Sequence, residues 1–241
     1  MKIELSLTPA LYPFRTIHEH HVTVAIDLLR ATTAVCAAFQ AGCKSIVPLD
    51  TLEGMARFRE HGRLLAAERN GCKVGNAEYG NSPTEYLRHD MTGVRLAYST
   101  TNGTLSILRA ADADLALVGA FANLTALCER LRTEAKDVVL LCSGWKNDFC
   151  IEDTLVAGAI VERLSGINPP FSTCGDAAAM SLELWNMAKA DPFAFCQRAS
   201  HVHRLYRMGA EADVEFAFRQ DTCPVVPVLK DGLLTCNGNS I

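Results

Sequence analysis

The chain has 241 residues, 49% of them apolar, and a mean hydropathy of +0.10, enough to bury one substantial core. Its 23 basic and 27 acidic residues leave a net charge of −4 with the basic ones dispersed, which argues against nucleic acid or an acidic membrane as partner and for a small ligand. No apolar stretch approaches the roughly 20 residues of a spanning helix, and the opening MKIELSLTP carries no signal-peptide core, so a soluble, cytoplasmic protein is expected.

In chain order, apolar and partly β-branched runs at Val22–Leu29, Ser45–Leu49, Leu64–Ala67, Val94–Tyr98, Leu115–Val118 and Val138–Leu141 predict buried strands. Between them Ala31–Ala41, Leu52–His61, Leu105–Ala111, Leu124–Ala135 and Leu155–Leu164 place apolar residues at i, i+3 and i+4, the pattern of helices with one covered face. This alternation predicts an α/β fold, a largely parallel sheet covered on both faces, in a single domain over residues 1–241. After Pro169-Pro170 the character turns helical, through Asp176–Ala190, Pro192–Ser200 and His201–Met208, before a strand or hairpin at Val225–Leu234. Val22–Ala41 and Val138–Glu162 echo one another: strand, polar turn with an acid, Ala-rich helix.

Ten cysteines lie between Cys36 and Cys236 with no CxxC and no zinc-type spacing; Cys36, Cys43, Cys128 and Cys142 sit in apolar runs, where a reduced thiol packs as a small hydrophobe. No Cys precedes an Arg by six positions, so the phosphate loop of cysteine-dependent phosphatases is missing. The nucleotide-binding patterns GxxxxGK[ST] and GxGxxG, the zinc-protease HExxH and the hydrolase GxSxG are also absent. His18, His20 and His21 read as surface residues.

What chemistry the chain has therefore gathers at strand ends. Ser99-Thr100-Thr101-Asn102-Gly103-Thr104 lies between a strand and a helix, where hydroxyls and free backbone N–H groups suit an oxyanion, although a single Thr or Asn there also serves as a helix cap. Asp27 closes the first strong strand within an apolar run, with Arg30, Thr32 and Thr33 just after it; burying that acid calls for hydrogen bonds, a cation, or a structural pair with Arg30. Glu68 and Arg69 follow the next strand, and a polar loop leads to Asn81 and Ser82, which read both as a ligand clamp and as a helix start with Ser82 capping and Pro83 at the first position. Asp153 and Asp176 open helices, where dipole compensation is the ordinary role for an acid. His201 could reach the same crevice as a donor. Several carboxylates converging at one sheet edge suit Mg²⁺, which takes oxygen ligands.

The blocks Ala25–Thr33, Glu68–Gly71, Gly80–Pro83, Ser99–Thr104, Cys142–Gly144, Glu152-Asp153, Asp176–Ala178, Ser200-His201 and Asp213, in that order, resemble the ComB family of Mg²⁺-dependent 2-phosphosulfolactate phosphatases. The resemblance implies a three-layer α/β/α architecture and hydrolysis of a phosphomonoester on a small sulfonated hydroxy acid, a step of coenzyme M biosynthesis in the family's best-known setting. Two positions depart from the family pattern. Phe149-Cys150-Ile151-Glu152-Asp153 stands where phenylalanine-serine-leucine-glutamate-aspartate is usual, and Val202 follows His201 where a glycine is common. The expected site has Asp27, Arg30, Glu68 and Arg69 as catalytic residues and Asp27, Glu68, Asp153 and Asp176 as the Mg²⁺ ligand set. Thr32, Thr33, Asn81, Ser82, Thr100, Thr101, Asn102, Gly103, Thr104 and His201 are expected to hold substrate. Whether Asp27 attacks phosphorus or serves a water nucleophile stays open. So do two other readings: a phosphatase for another 2-phospho-hydroxy acid, such as phospholactate or phosphoglycerate, and an anion-binding module without turnover. Apolar faces in the helical second part suit a homodimer.

Overall fold

The computed structural model describes residues 1–236. Eleven strands form one sheet, in the order β5-β4-β6-β3-β11-β10-β7-β2-β8-β1-β9. One block is parallel throughout: β7 (Leu115–Gly119), β2 (His21–Ile26), β8 (Asp137–Cys142), β1 (Lys2–Ser6) and β9 (Ser172–Cys174). In the other, β3 (Ser45–Pro48), β6 (Arg95–Ser99) and β4 (Leu64–Arg69) are parallel, with the two-residue β5 (Cys72–Lys73) antiparallel at the edge. The hairpin β10 (Pro227–Lys230) and β11 (Leu233–Cys236) joins them, antiparallel to β7 on one side and touching β3 through the single pair Leu234–Ile46. The expected terminal hairpin thus lies in the middle of the sheet, which makes the sheet mixed.

Alternation along the strands shows that both faces are covered. Val138 and Leu140 belong to the main core, whereas Val139 and Leu141 pack with Tyr12 and Ile17 on the other side. In the second block Ala66, Leu96 and Tyr98 face the main core, and Leu65, Ala67 and Ala97 face Met55 and Phe58. With a side-chain period of two, the sheet is the middle of three layers. β1 escapes the sequence reading because Lys2 and Glu4 interrupt its apolar residues; Glu4 is held by Thr16 and Ile17 N–H groups.

The helix α1 (Ala31–Gln40) sets the distance between the blocks. It leaves the end of β2 and runs back for about 15 Å, the length of ten helical residues. At its far end Ala41 O accepts from Met91 N, and Lys44 N donates to Val94 O just before β6 begins. A five-residue strand rises about 17 Å, so β6 returns the chain to the start of α1. There Gly103, first residue of α4 (Gly103–Arg109), lies against Ala31 and Asp27; a Cβ on it would overlap the Ala31 Cβ and stand 2.5 Å from Asp27 Oδ2. The carboxyl ends of β2 and β6 meet for this reason.

Two element boundaries and the burial of one residue differ from expectation. β2 stops at Ile26 because Asp27–Arg30 turn into α1, and Leu52–His61 is helical only at α2 (Arg57–Glu60). The helix expected after Ser82 is α3 (Pro83–Leu87), capped as anticipated: Ser82 Oγ accepts from Glu85 N at 3.1 Å. His21 is buried rather than on the surface, and neither ring nitrogen has a partner. α5 (Leu124–Glu134), α6 (Ile151–Ser165), α7 (Asp176–Ala188), α8 (Pro192–Cys196), α9 (Ser200–Tyr206) and α10 (Glu211–Ala217) complete the helices of the described residues. None of them is long and apolar enough to cross a membrane.

Candidate active site

The two echoing segments are neighbours: β2 and β8 pair in parallel, and each delivers an acid to the same point. Ser143 N donates to Ile26 O, continuing the ladder one step past β8, and then Gly144 (φ +59°) turns the chain so that Trp145 and Asp148 exchange backbone hydrogen bonds at 2.9 Å. A side chain at Gly144 would collide with Asp148 O. The turn leads into α6, whose first turn carries Glu152 and Asp153, both buried. Asp153 Oδ1 accepts from Leu28 N at 2.8 Å and Oδ2 from Gly144 N at 3.0 Å, so backbone donors from both strand ends fix this carboxylate.

Asp27 is buried beside it. Its Oδ1 accepts from Ala31 N at 3.2 Å, capping α1, and Oδ2 accepts no hydrogen bond from the described residues. Burial, reinforced by the Asp153 and Glu68 carboxylates, pushes Asp27 well above the usual carboxylate range. Glu152 and Asp153 are each pushed up to about 7, burial first, then repulsion from Asp27 in one case and from Glu152 in the other. Glu68 arrives from β4. Its carboxylate accepts from Thr101 N at 3.1 Å, Thr101 Oγ1 at 2.9 Å and Gly71 N, which ties the turn after β6 to the end of β4.

Asp27, Arg30, Glu68, Asn81, Asn102 and His201 line one cavity, together with Trp145 and Arg204, which the sequence reading did not single out. The Arg30 guanidinium is 2.7 Å from buried Asp213 and also donates to Gly71 O at 2.8 Å. Asp213 in turn accepts from Ser82 Oγ at 2.7 Å and Thr84 Oγ1 at 2.6 Å. Asn81 Oδ1 accepts from Tyr98. The Arg204 guanidinium carbon sits over Trp145, 3.2 Å from the ring centroid, and Arg204 donates to the His201 ring at 2.8 Å. Burial and then the two arginines push His201 down to about 3, so its imidazole is neutral.

The other expected residues are placed differently. The hydroxyls read as an oxyanion cradle are consumed inside the protein: Thr32 Oγ1 donates to Asp27 O and Thr33 Oγ1 to Leu28 O. Thr100 Oγ1 accepts from Thr104 N, Thr104 Oγ1 accepts from Thr100 N, and Thr101 serves Glu68. Ser82 is spent on Asp213 and its own helix, and Gly103 has no side chain to offer but lets α4 approach Ala31 and Asp27 closely. Arg69 is off the cavity wall, tied to Glu68 O at 2.6 Å and Ser99 Oγ at 2.8 Å. Asp176 does not join the carboxylates. It is exposed at the start of α7, after the outermost strand β9, three strand positions from β2 and so about 14 Å away.

Glu152 replaces it, one residue before Asp153 and buried with it. Cys150, Glu152 and His201 also bring one potential ligand atom each within 4.8 Å of one another, a mixed sulfur, oxygen and nitrogen trio. Trp145 carried a usable signal, as one of two tryptophans and two residues past a polar strand end. Arg204 carried none, because nothing local marks which face of α9 meets the crevice.

The profile of the 2-phosphosulpholactate phosphatase family matches residues 6–232. A protein of Thermotoga petrophila described as a probable 2-phosphosulfolactate phosphatase is 34% identical over 215 residues, 89% of this chain and 92% of its own. Proteins with the same description from Microcystis aeruginosa and Synechocystis are 30% and 31% identical, covering 96% and 98% of this chain and 97% and 99% of theirs. With a profile spanning nearly every element that builds the cavity, and relatives that align end to end, the chain belongs to the 2-phosphosulfolactate phosphatase family.

Proposed function

We propose that this protein is a Mg²⁺-dependent phosphatase that hydrolyses the phosphomonoester of 2-phosphosulfolactate to sulfolactate and phosphate. The observation that carries the reading is that buried Asp27 and Glu68 line one cavity, with buried Asp153 and Glu152 close enough to Asp27 to repel its charge. Buried carboxylates that repel one another are expensive unless a cation joins them. The four carboxylates offer only oxygen, which fits Mg²⁺, while Glu152 also stands within 4.8 Å of a Cys150 sulfur and a His201 nitrogen. Asp27 and Glu152 offer the ligand oxygens; Asp153 and Glu68, whose oxygens already accept backbone N–H bonds, complete the negative wall. When bound, the ion would supply Lewis acidity at the phosphoryl group.

The chain's own residues then position and neutralise. Arg30 brings a positive charge to the phosphoryl group, held by Asp213 and Gly71 so that little side-chain freedom is lost on binding. Asn81 has its carbonyl oxygen occupied by Tyr98, which leaves its amide N–H groups for the ligand. The N–H groups of Asn102 and Gly103 have no partner among the described residues and are available to an oxyanion. Phosphoryl transfer depends mainly on such positioning and electrostatics. The cavity as it stands, about 20 Å³, holds a single water, so substrate entry parts its lining side chains.

The test is phosphate release from 2-phosphosulfolactate, 2-phospholactate and 2-phosphoglycerate with Mg²⁺ and then with chelator. Chelator-sensitive release from the sulfonated ester is expected; no metal-dependent release from any of them leaves an anion-binding module. A cytoplasmic setting and pairing of two copies belong to the same proposal.

A further inference from the structure

We propose that Arg204, laid on Trp145, is the subsite for the sulfonate of the substrate, and so the residue that separates sulfonated from plain 2-phospho-hydroxy acids. The inference rests on the phosphatase reading for the rest of the molecule to be bound.

Two arginines line the cavity, and they differ in charge balance. Arg30 is paired with Asp213, both side chains being less than a tenth exposed, so its charge is largely answered by the protein. Arg204 has no carboxylate within salt-bridge distance among the described residues, and its Nε is buried without any hydrogen-bond partner. Its one polar contact is the ring of His201. A guanidinium desolvated against an indole face, with Glu68, Glu152 and Asp27 near enough to act on its charge but none of them hydrogen-bonded to it, has donors free for an anion.

The ligand's chemistry decides which anion. The phosphate belongs with the acidic wall and its cation, and the carboxylate shares carbon 2 with the phosphate ester, which keeps it close by. The sulfonate sits on carbon 3, one bond further out, and stays ionised at any pH the protein meets, so it needs a permanent positive charge. A guanidinium supplies that charge as a planar fork able to meet two sulfonate oxygens. Trp145 holds the Arg204 guanidinium against its ring face on one side of the cavity.

The experiment compares kcat/KM of the full chain, with saturating Mg²⁺, for 2-phosphosulfolactate, for 2-phospholactate, which lacks the sulfonate, and for phosphooxyethanesulfonate, which lacks the carboxylate. Wild type is expected to favour the sulfonated esters over 2-phospholactate on the order of 100-fold, and Arg204→Ala to collapse that ratio to a few-fold, chiefly through KM. Arg204→Lys keeps the charge and stem, guards against loss of fold, and is expected to recover only part of the ratio. Equal losses on all three esters overturn the proposal, since Arg204 would then serve the phosphate or the fold; a loss that follows the carboxylate overturns it too. If wild type releases no phosphate from any ester, the phosphatase reading fails separately. Calorimetry with sulfolactate then tests the subsite alone: binding lost in Arg204→Ala upholds it, and no binding by wild type, or binding unaffected by the substitution, overturns it.

Discussion

At the amino end of β2, Arg15 stands 2.7 Å from Asp112, Tyr12 donates to the same carboxylate at 2.6 Å and shares a 2.8 Å hydrogen bond with Thr23. At the carboxyl end, Asp27, Glu68, Glu152 and Asp153 are gathered in the interior, and the nearest paired cation, Arg30, is already answered by Asp213. Both ends bury polar side chains beneath covering helices or loops, yet one closes its charge account and the other is left strongly negative. Balanced polar clusters hold a structure together, whereas an unbalanced one stores repulsion that a ligand can relieve.

Four experiments probe the contrast. The largest effect is expected from Asp27→Asn, which should lower turnover on the order of 10³-fold or more while raising the melting temperature of the metal-free protein at neutral pH, because a buried carboxyl that folding must either protonate or leave repelled is gone. A fall in that temperature would place Asp27 with the structural cluster instead. Gly103→Ala comes next. Its Cβ overlaps Ala31 and crowds the Asp27 carboxylate, so about 1–3 kcal/mol of stability and on the order of 100-fold in activity should be lost, read by denaturant titration and phosphate release.

The third concerns pH. Glu152 and Asp153 titrate near 7 in the folded chain and near 4.5 and 3.8 when unfolded, so the folded state holds more protons between those values. Their contribution to stability is full below about pH 4 and is lost as pH rises through 7. The melting temperature of the metal-free protein should fall by roughly 5 °C from pH 5 to pH 8, and millimolar Mg²⁺ should restore more of it at pH 8, where the carboxylates are ionised. A metal-free stability that rises across this interval contradicts the negative wall. The smallest effect is at the balanced end: Tyr12→Phe should cost about 1 kcal/mol, seen as a shift of roughly 2–4 °C, with phosphate release unaltered.

Much of this was legible before folding. The strand and helix rhythm follows from hydrophobic periodicity, and Asp27 and Glu68 declared themselves as acids at the ends of apolar runs, where burial demands a reason. The Ser99–Thr104 turn was equally conspicuous, but its hydroxyls and its backbone N–H groups go different ways: Asn102 lines the cavity while the threonine hydroxyls are engaged within the protein. Sequence shows that hydroxyls cluster there, but the direction of each hydroxyl is set by backbone geometry, and here Thr100, Thr101 and Thr104 face the protein. Asp153 and Asp176 looked alike as acids opening helices; their separation across the sheet comes from strand order, which local pattern does not encode.

The amino-acid sequence by itself determined the α/β class, the strand ends that carry acids and the family, because these depend on short-range periodicity and on residue types at fixed spacing. Only the tertiary structure decided that a carboxy-terminal hairpin stitches two parallel blocks into one sheet. It alone set which carboxylates share a cavity, and brought Arg204, from α9, across to Trp145. Those outcomes rest on contacts between residues far apart in the chain, fixed by how α1 and the strands span and pack, and no local propensity carries that information.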